Sequence, residues 1–223
     1  MENNEELQKH VQDAIKWEPL LNAAEIGVTV KNGVVTLTGT VDSYAKKLEA
    51  EDAAKRVAGV KAVVEKIAVE FGSMAIHNDA AIASEVVEAF KWSWNVPGDR
   101  LTVKVEQGWV TLGGAVQWNY QKEAAKEAIK NLAGVKGVTN EIRIKSNAHD
   151  TLEKMDIEQA LLRNWSIDER DIQVKVTGSN ITLYGKVGSI YQRDEVARIA
   201  WNAPGVQTVD NELTVDYSLH MAC

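Results

Sequence analysis

Apolar positions along the chain follow two periods in turn, and the alternation of periods itself recurs. Leu7, Val11 and Ile15 fall on every fourth residue, as do Ile82, Val86 and Phe90, with Ile157 and Leu161 further on. That spacing gathers side chains on one face of a helix. Each stretch is followed by strict alternation, at Ile26, Val28 and Val30, at Leu101, Val103 and Val105, and at Ile172, Val174 and Val176. Period-2 segments of this kind predict strands with one covered face. A second strand follows across Asn32-Gly33, a pair suited to the positive φ of a two-residue hairpin turn. Gln107-Gly108 and Gly178-Ser179 occupy the same place with less suitable residues. A second helix is predicted by Ala50, Ala53, Ala54 and Val57, matched by Ala125, Ala128, Ile129 and Leu132. Gly59, Gly134 and Gly205 are expected to end it in the left-handed conformation. The closing strands are Ile67-Ala-Val69, Ile142-Arg-Ile144 and Leu213-Thr-Val215.

The chain is thus one unit written three times. The segments Gly33-Val-Val-Thr-Leu-Thr-Gly39-Thr-Val41, Gly108-Trp-Val-Thr-Leu-Gly-Gly114-Ala-Val116 and Ser179-Asn-Ile-Thr-Leu-Tyr-Gly185-Lys-Val187 share Thr-Leu-x-Gly-x-Val. A Gly-Val pair lies 20 residues beyond each of Gly39, Gly114 and Gly185, without a gap. Self-similarity at a fixed period marks repeated supersecondary units. The expected fold class is α+β: three tandem α-β-β-α-β modules, each a small mixed three-stranded sheet with two helices on one face. The modules are expected at 1–72, 73–148 and 149–223, with boundaries near Gly72-Ser73 and Ser146-Asn147, where the periodicity lapses. Gly39, Gly114 and Gly185 should be equivalent sites at which a helix or neighbouring backbone comes close.

This order of elements, the Gly-x-Val-Thr-Leu-x-Gly-x-Val strand and the Gly-Val before the last strand resemble the BON domain, named for bacterial osmotically inducible and nodulation proteins. The resemblance covers nearly the whole chain, although Ser179 and Asn180 replace the first Gly-Val of the motif in the third copy. It implies a stress or envelope protein that binds phospholipid or another envelope component. It also admits a potassium-binding role, since one cytoplasmic member pairs a BON domain with a LysM domain; nothing in this chain resembles LysM.

Chemistry that would make the chain an enzyme is missing from the sequence. His10, His77, His149 and His220 occupy different columns of the repeat, and Cys223 is the sole cysteine. No zinc motif, nucleophile elbow or phosphate loop occurs. The glycines of 108–114 belong to the repeated strand, and Asp168-Glu-Arg-Asp171 lacks the spacing of a calcium loop. A non-catalytic protein with no cofactor or metal is therefore expected. A net charge of −7 without a basic cluster argues against nucleic acid as a partner. Apolar runs of four or five residues fall far short of the roughly 20 that span a bilayer. The acidic start, with no apolar leader and no lipobox cysteine, fits a cytoplasmic location.

Binding features concentrate in the second module. The modules carry −3, +1 and −5 in turn, so the middle one is the least repelled by anionic lipid. Trp17, Trp94 and Trp165, at the exit of each first helix, are expected to close the open end of a small core. Yet the second module holds four tryptophans, more than such a core buries, so for Trp94 both an inward and an outward reading stay open. Trp109 falls on the strand face opposite Val110 and Leu112, which no helix covers. Lys91, Trp92, Trp94, Arg100, Lys104 and Trp109 together form the candidate surface for an anionic lipid or other envelope component. The alternative is assembly, in which sheet edges or faces pair chains into a homo-oligomer.

Overall fold

The structure is a computed structural model and describes residues 4–72, 78–145, 157–160, 172–203 and 205–216. The proposed boundaries at 72–73 and 146–147, with Leu161 and Trp165, fall wholly or partly outside them. The chain divides into two compact units, one drawn from Met1–Gly39, Glu49–Ile67 and Ala148–Cys223, the other from Thr40–Leu48 and Ala68–Asn147.

The first repeat comprises α1 (Asn4–Trp17), the hairpin β1 (Ile26–Lys31) and β2 (Val34–Val41), α2 (Tyr44–Arg56) and β3 (Ala62–Val69). The second has α3 (Asp79–Trp92), β4 (Leu101–Glu106), β5 (Trp109–Val116), α4 (Asn119–Ile129), β6 (Gly137–Asn140) and β7 (Arg143–Ile144). The third contains β8 (Ile172–Thr177), β9 (Asn180–Val187), α5 (Ile190–Trp201) and β10 (Thr208–Val215), with residues 157–160 helical before them. In every repeat the second hairpin strand is central, flanked by the first strand and the last. The hairpins are antiparallel, and β6, β7 and β10 join parallel to their partners. The α+β repeat read from the periods is the one observed. Only the second repeat's last strand departs from a single strand, breaking between β6 and β7, where the Asn140 side chain accepts from the Ile142 N–H at 3.3 Å.

The apolar columns go where their periods put them. Leu7, Val11, Ile15, Ile82, Val86, Phe90 and Ile157 are buried, as are Val35, Leu37, Val110, Leu112, Ile181 and Leu183 of the central strands. Gly59, Gly134 and Gly205 have φ of 92°, 87° and 87°, but the helices end three to five residues earlier, at Arg56, Ile129 and Trp201. Tight turns fill the interval, such as Val57 N–H to Ala54 O at 3.2 Å and Val60 N–H to Val57 O at 3.3 Å. These i to i+3 bonds unwind the last helical turn before the glycine redirects the chain.

Asn32 and Gln107 take positive φ, 55° and 52°, although only the first is well suited to it. The second turn is held from outside. The Asp79 carboxylate accepts from the N–H groups of Gln107 and Gly108 at 2.8 and 2.9 Å, where Asn4 accepts only one bond, from Asn32, at 2.9 Å. Asp79→Ala is expected to cost about 2 kcal/mol, the scale of losing charge-assisted hydrogen bonds. Faster amide exchange in the β4–β5 hairpin is the corresponding signal, and unchanged exchange there would deny Asp79 this role.

Candidate functional site

At one end of the second repeat, α3 stops and β4 starts. Asn78 caps α3 by accepting from the Ala81 N–H at 2.7 Å, and Ile82, Val86 and Phe90 hold its inner face in the core. Beyond Trp92 the chain turns sharply, with Ser93 N–H bonded to Phe90 O at 3.2 Å and Val96 N–H to Ser93 O at 2.9 Å. That turn delivers Val96 into the core, 7% exposed, and leaves Trp92 and Trp94 at 82% and 93%. A groove of about 690 Å³ runs beside the turn, lined among others by Val87, Phe90, Lys91, Trp94, Leu101 and Val103. Lys91 pairs with Glu88 at 2.8 Å, and its hydrogen bond holds the Glu88 carboxyl below the usual range.

The expectation that Trp17 and Trp94 close their cores is therefore corrected. Trp17 is 85% exposed and Trp94 even more so. In the second repeat an aliphatic side chain, Val96, fills the open end that an indole was expected to cover. Trp165 lies outside the described residues.

The six candidate residues do not form one patch. Lys91, Trp92, Trp94 and Arg100 share the end where α3 leaves and β4 begins. Lys104 and Trp109 lie toward the hairpin end of the sheet, on its open face, opposite Thr111 and Glu106 respectively. A six-residue strand spans about 17 Å, so two groups result. Lys104 pairs with Glu106 at 3.0 Å. Trp109 is 51% exposed, its ring lies over Gly137, where an added Cβ would sit 2.2 Å from a ring carbon, and the Lys47 ammonium stands 5.7 Å from the ring centroid. Trp109 is thus already engaged within its own unit, and Trp92 hydrogen-bonds the Glu88 carboxyl, whereas Trp94 is the most exposed of the three.

Two cations missing from the candidate set sit at the α3–β4 end as well: Arg143 in β7 and Lys145 just after it. A depression of about 370 Å³ is lined by Arg100 and Lys145 with Ala115, Val116 and Gln117. Beside it, one of about 430 Å³ is lined by Gly113, Gly114, Ala115, Glu141, Arg143 and Lys145. Among the described residues no cluster of His, Cys, Asp and Glu is placed to hold a metal ion. None of their helices is long and apolar enough to cross a membrane.

Comparison with known proteins agrees with the repeat. Osmotically-inducible protein Y of Escherichia coli K12 is 31% identical over 144 residues, 61% of this chain and 72% of that protein. An uncharacterised protein encoded in the gshII 5′ region of Anaplasma centrale is 31% identical over 125 residues, 55% of this chain and 83% of that one. The C-terminal domain of CdsD, a structural protein of the Chlamydia trachomatis type III secretion system, aligns over 96% of this chain and 98% of its own, but at 14% identity and a TM-score of 0.24. So weak a superposition bears on neither fold nor function. The BON domain profile matches residues 3–70, 78–146 and 149–217, and the chain belongs to the BON domain family as three tandem copies.

Proposed function

We propose that this is a non-catalytic binding protein of osmotic or envelope stress, which contacts a phospholipid surface through the α3–β4 end of its second repeat. The observation that carries this reading is the exposure of Trp92, the last residue of α3, and of Trp94, two residues on, at 82% and 93%. A tryptophan side chain offers on the order of 200 Å² of surface, and neither ring is used to close the core. Indole rings with Lys or Arg beside them suit the boundary between headgroups and acyl chains. Lys91 and Arg100 flank the pair in sequence, and Lys16-Trp17 repeats the Lys91-Trp92 pair at the end of α1. The relation to an osmotically inducible protein supports the stress setting. In a cytoplasmic setting the surface met is the inner leaflet, which is rich in anionic lipid.

Flotation with phosphatidylglycerol vesicles tests the reading. The parent chain is expected to float, with its tryptophan emission shifted to the blue. Trp92→Ala/Trp94→Ala is expected to weaken binding at least about tenfold, since each buried indole contributes more than 1 kcal/mol, while the circular dichroism spectrum stays unchanged. Equal flotation of variant and parent would remove these tryptophans from the contact.

A further inference from the structure

We infer that Arg100, Arg143 and Lys145 form a phosphate-recognition site at the end of the second repeat's sheet. The two adjoining depressions share Ala115 and Lys145, and between them they bring in all three cations. All three side chains are exposed, and no ion pair among the described residues engages any of them. Glu141 also lines the second depression, but no ion pair joins it to them. Gly113, Gly114 and Ala115 line that depression as well, with the Thr102 hydroxyl packed over Gly113.

Comparison of the repeats turns this cluster into a specific signal. Lys145 N–H bonds to Val116 O at 2.7 Å, Glu70 N–H to Val41 O at 2.9 Å and Asp216 N–H to Val187 O at 2.8 Å, so these three residues are structurally equivalent. Gly114 and Gly39 likewise approach the carbonyls of Arg100 and Glu25. The same offsets match Arg143 with Ala68 and Thr214, and Arg100 with Asp171, which lies outside the described residues. Where the second repeat has Arg, Arg and Lys, the first has Glu25, Ala68 and Glu70, and the third has Asp171, Thr214 and Asp216. The lining changes too: Gly113 stands where the others have Thr38 and Tyr184. A merely solvated end needs no particular sign. Three cations lining adjoining depressions offer an anion of more than one charge several positive partners at once. Guanidinium forks match phosphate oxygens in pairs, which favours a phosphate group over a single carboxylate.

The source of that phosphate, an anionic lipid headgroup, rests on the surface-binding reading above; recognition of the phosphate itself does not. Two titrations of the full chain separate them. In the first, amide resonances of the chain are followed as inorganic pyrophosphate is added, with sodium chloride at matched ionic strength as the comparison. Saturable shifts confined to residues 113–117 and 143–145 are expected with pyrophosphate alone, and Arg143→Ala/Lys145→Ala should abolish them while Lys104→Ala leaves them intact. In the second, the same double variant is expected to bind phosphatidylglycerol vesicles about 30-fold more weakly, from roughly fivefold per basic side chain near an anionic surface. Its binding to phosphatidylcholine vesicles should not change. Saturation by pyrophosphate without any vesicle binding would uphold the site and assign it a soluble phosphate compound, overturning the lipid reading alone. Vesicle binding lost in the Trp92/Trp94 variant but kept in the Arg143/Lys145 variant, with chloride and pyrophosphate giving equal shifts, would overturn the site and leave the lipid reading standing.

Discussion

Replacing Gly114 with Val is expected to unfold the second repeat before the other two, at a cost of roughly 3 to 5 kcal/mol. Gly114 has φ of 110°, and a Cβ there would lie 2.3 Å from the Arg100 carbonyl oxygen. Neither the backbone conformation nor the approach of β4 accommodates a side chain, least of all a β-branched one. The cost is a large share of what a domain of this size has in total. Amide exchange resolved by repeat is the measurement, with Glu123→Ala, on an exposed site of α4, expected to shift stability by less than about 0.5 kcal/mol. Equal protection of β4 and β5 in the two variants would show that the glycine column does not mark a close backbone approach.

Leu112→Ala is expected to be nearly as costly, about 3 kcal/mol, because the Leu112 side chain is fully buried in the second core among residues drawn from α3, β5 and α4. Thr111, its neighbour, faces the other side of the sheet and is only partly covered. Thr111→Ala should therefore cost less than about 1 kcal/mol, and denaturant midpoints within experimental error of each other would contradict the assigned strand face.

The repeat was legible because its cues are local and occur three times. Leu37, Leu112 and Leu183 share a column, and in each copy the same alternation places that column inward. The close approach at Gly39 and Gly114 was legible for the same reason, since glycine at a fixed place in three strands has few other physical explanations. The fate of Trp94 was not legible. Periodicity assigns faces within a helix or strand, and Trp94 lies beyond the end of α3, where the turn through Ser93 and Val96 decides which side chain enters the core. The break between β6 and β7 was hidden as well: the Asn140 side chain accepts from the Ile142 N–H, but the Asn211 side chain accepts from the Leu213 N–H in the same way within the unbroken β10. Arg143 and Lys145 were in plain sight but looked like the polar face of a closing strand. Their signal lies in the sign of charge at fixed offsets, where Glu70 and Asp216 stand against Lys145, and not in any local motif.

The parallel closing strand also sets an order of events. A hairpin such as β4–β5 joins neighbours in sequence and forms within microseconds, whereas β6 and β7 must wait for α4 to carry the chain back across the sheet. In the third repeat the corresponding pairing joins Asn180 to Thr208, 28 residues apart. Arg143 and Lys145 arrive on that late element, while Arg100 is already beside the hairpin, so the three cations meet only when the repeat is complete. An anion that needs all three would bind only the completed repeat and would stabilise it by mass action, in proportion to its own concentration.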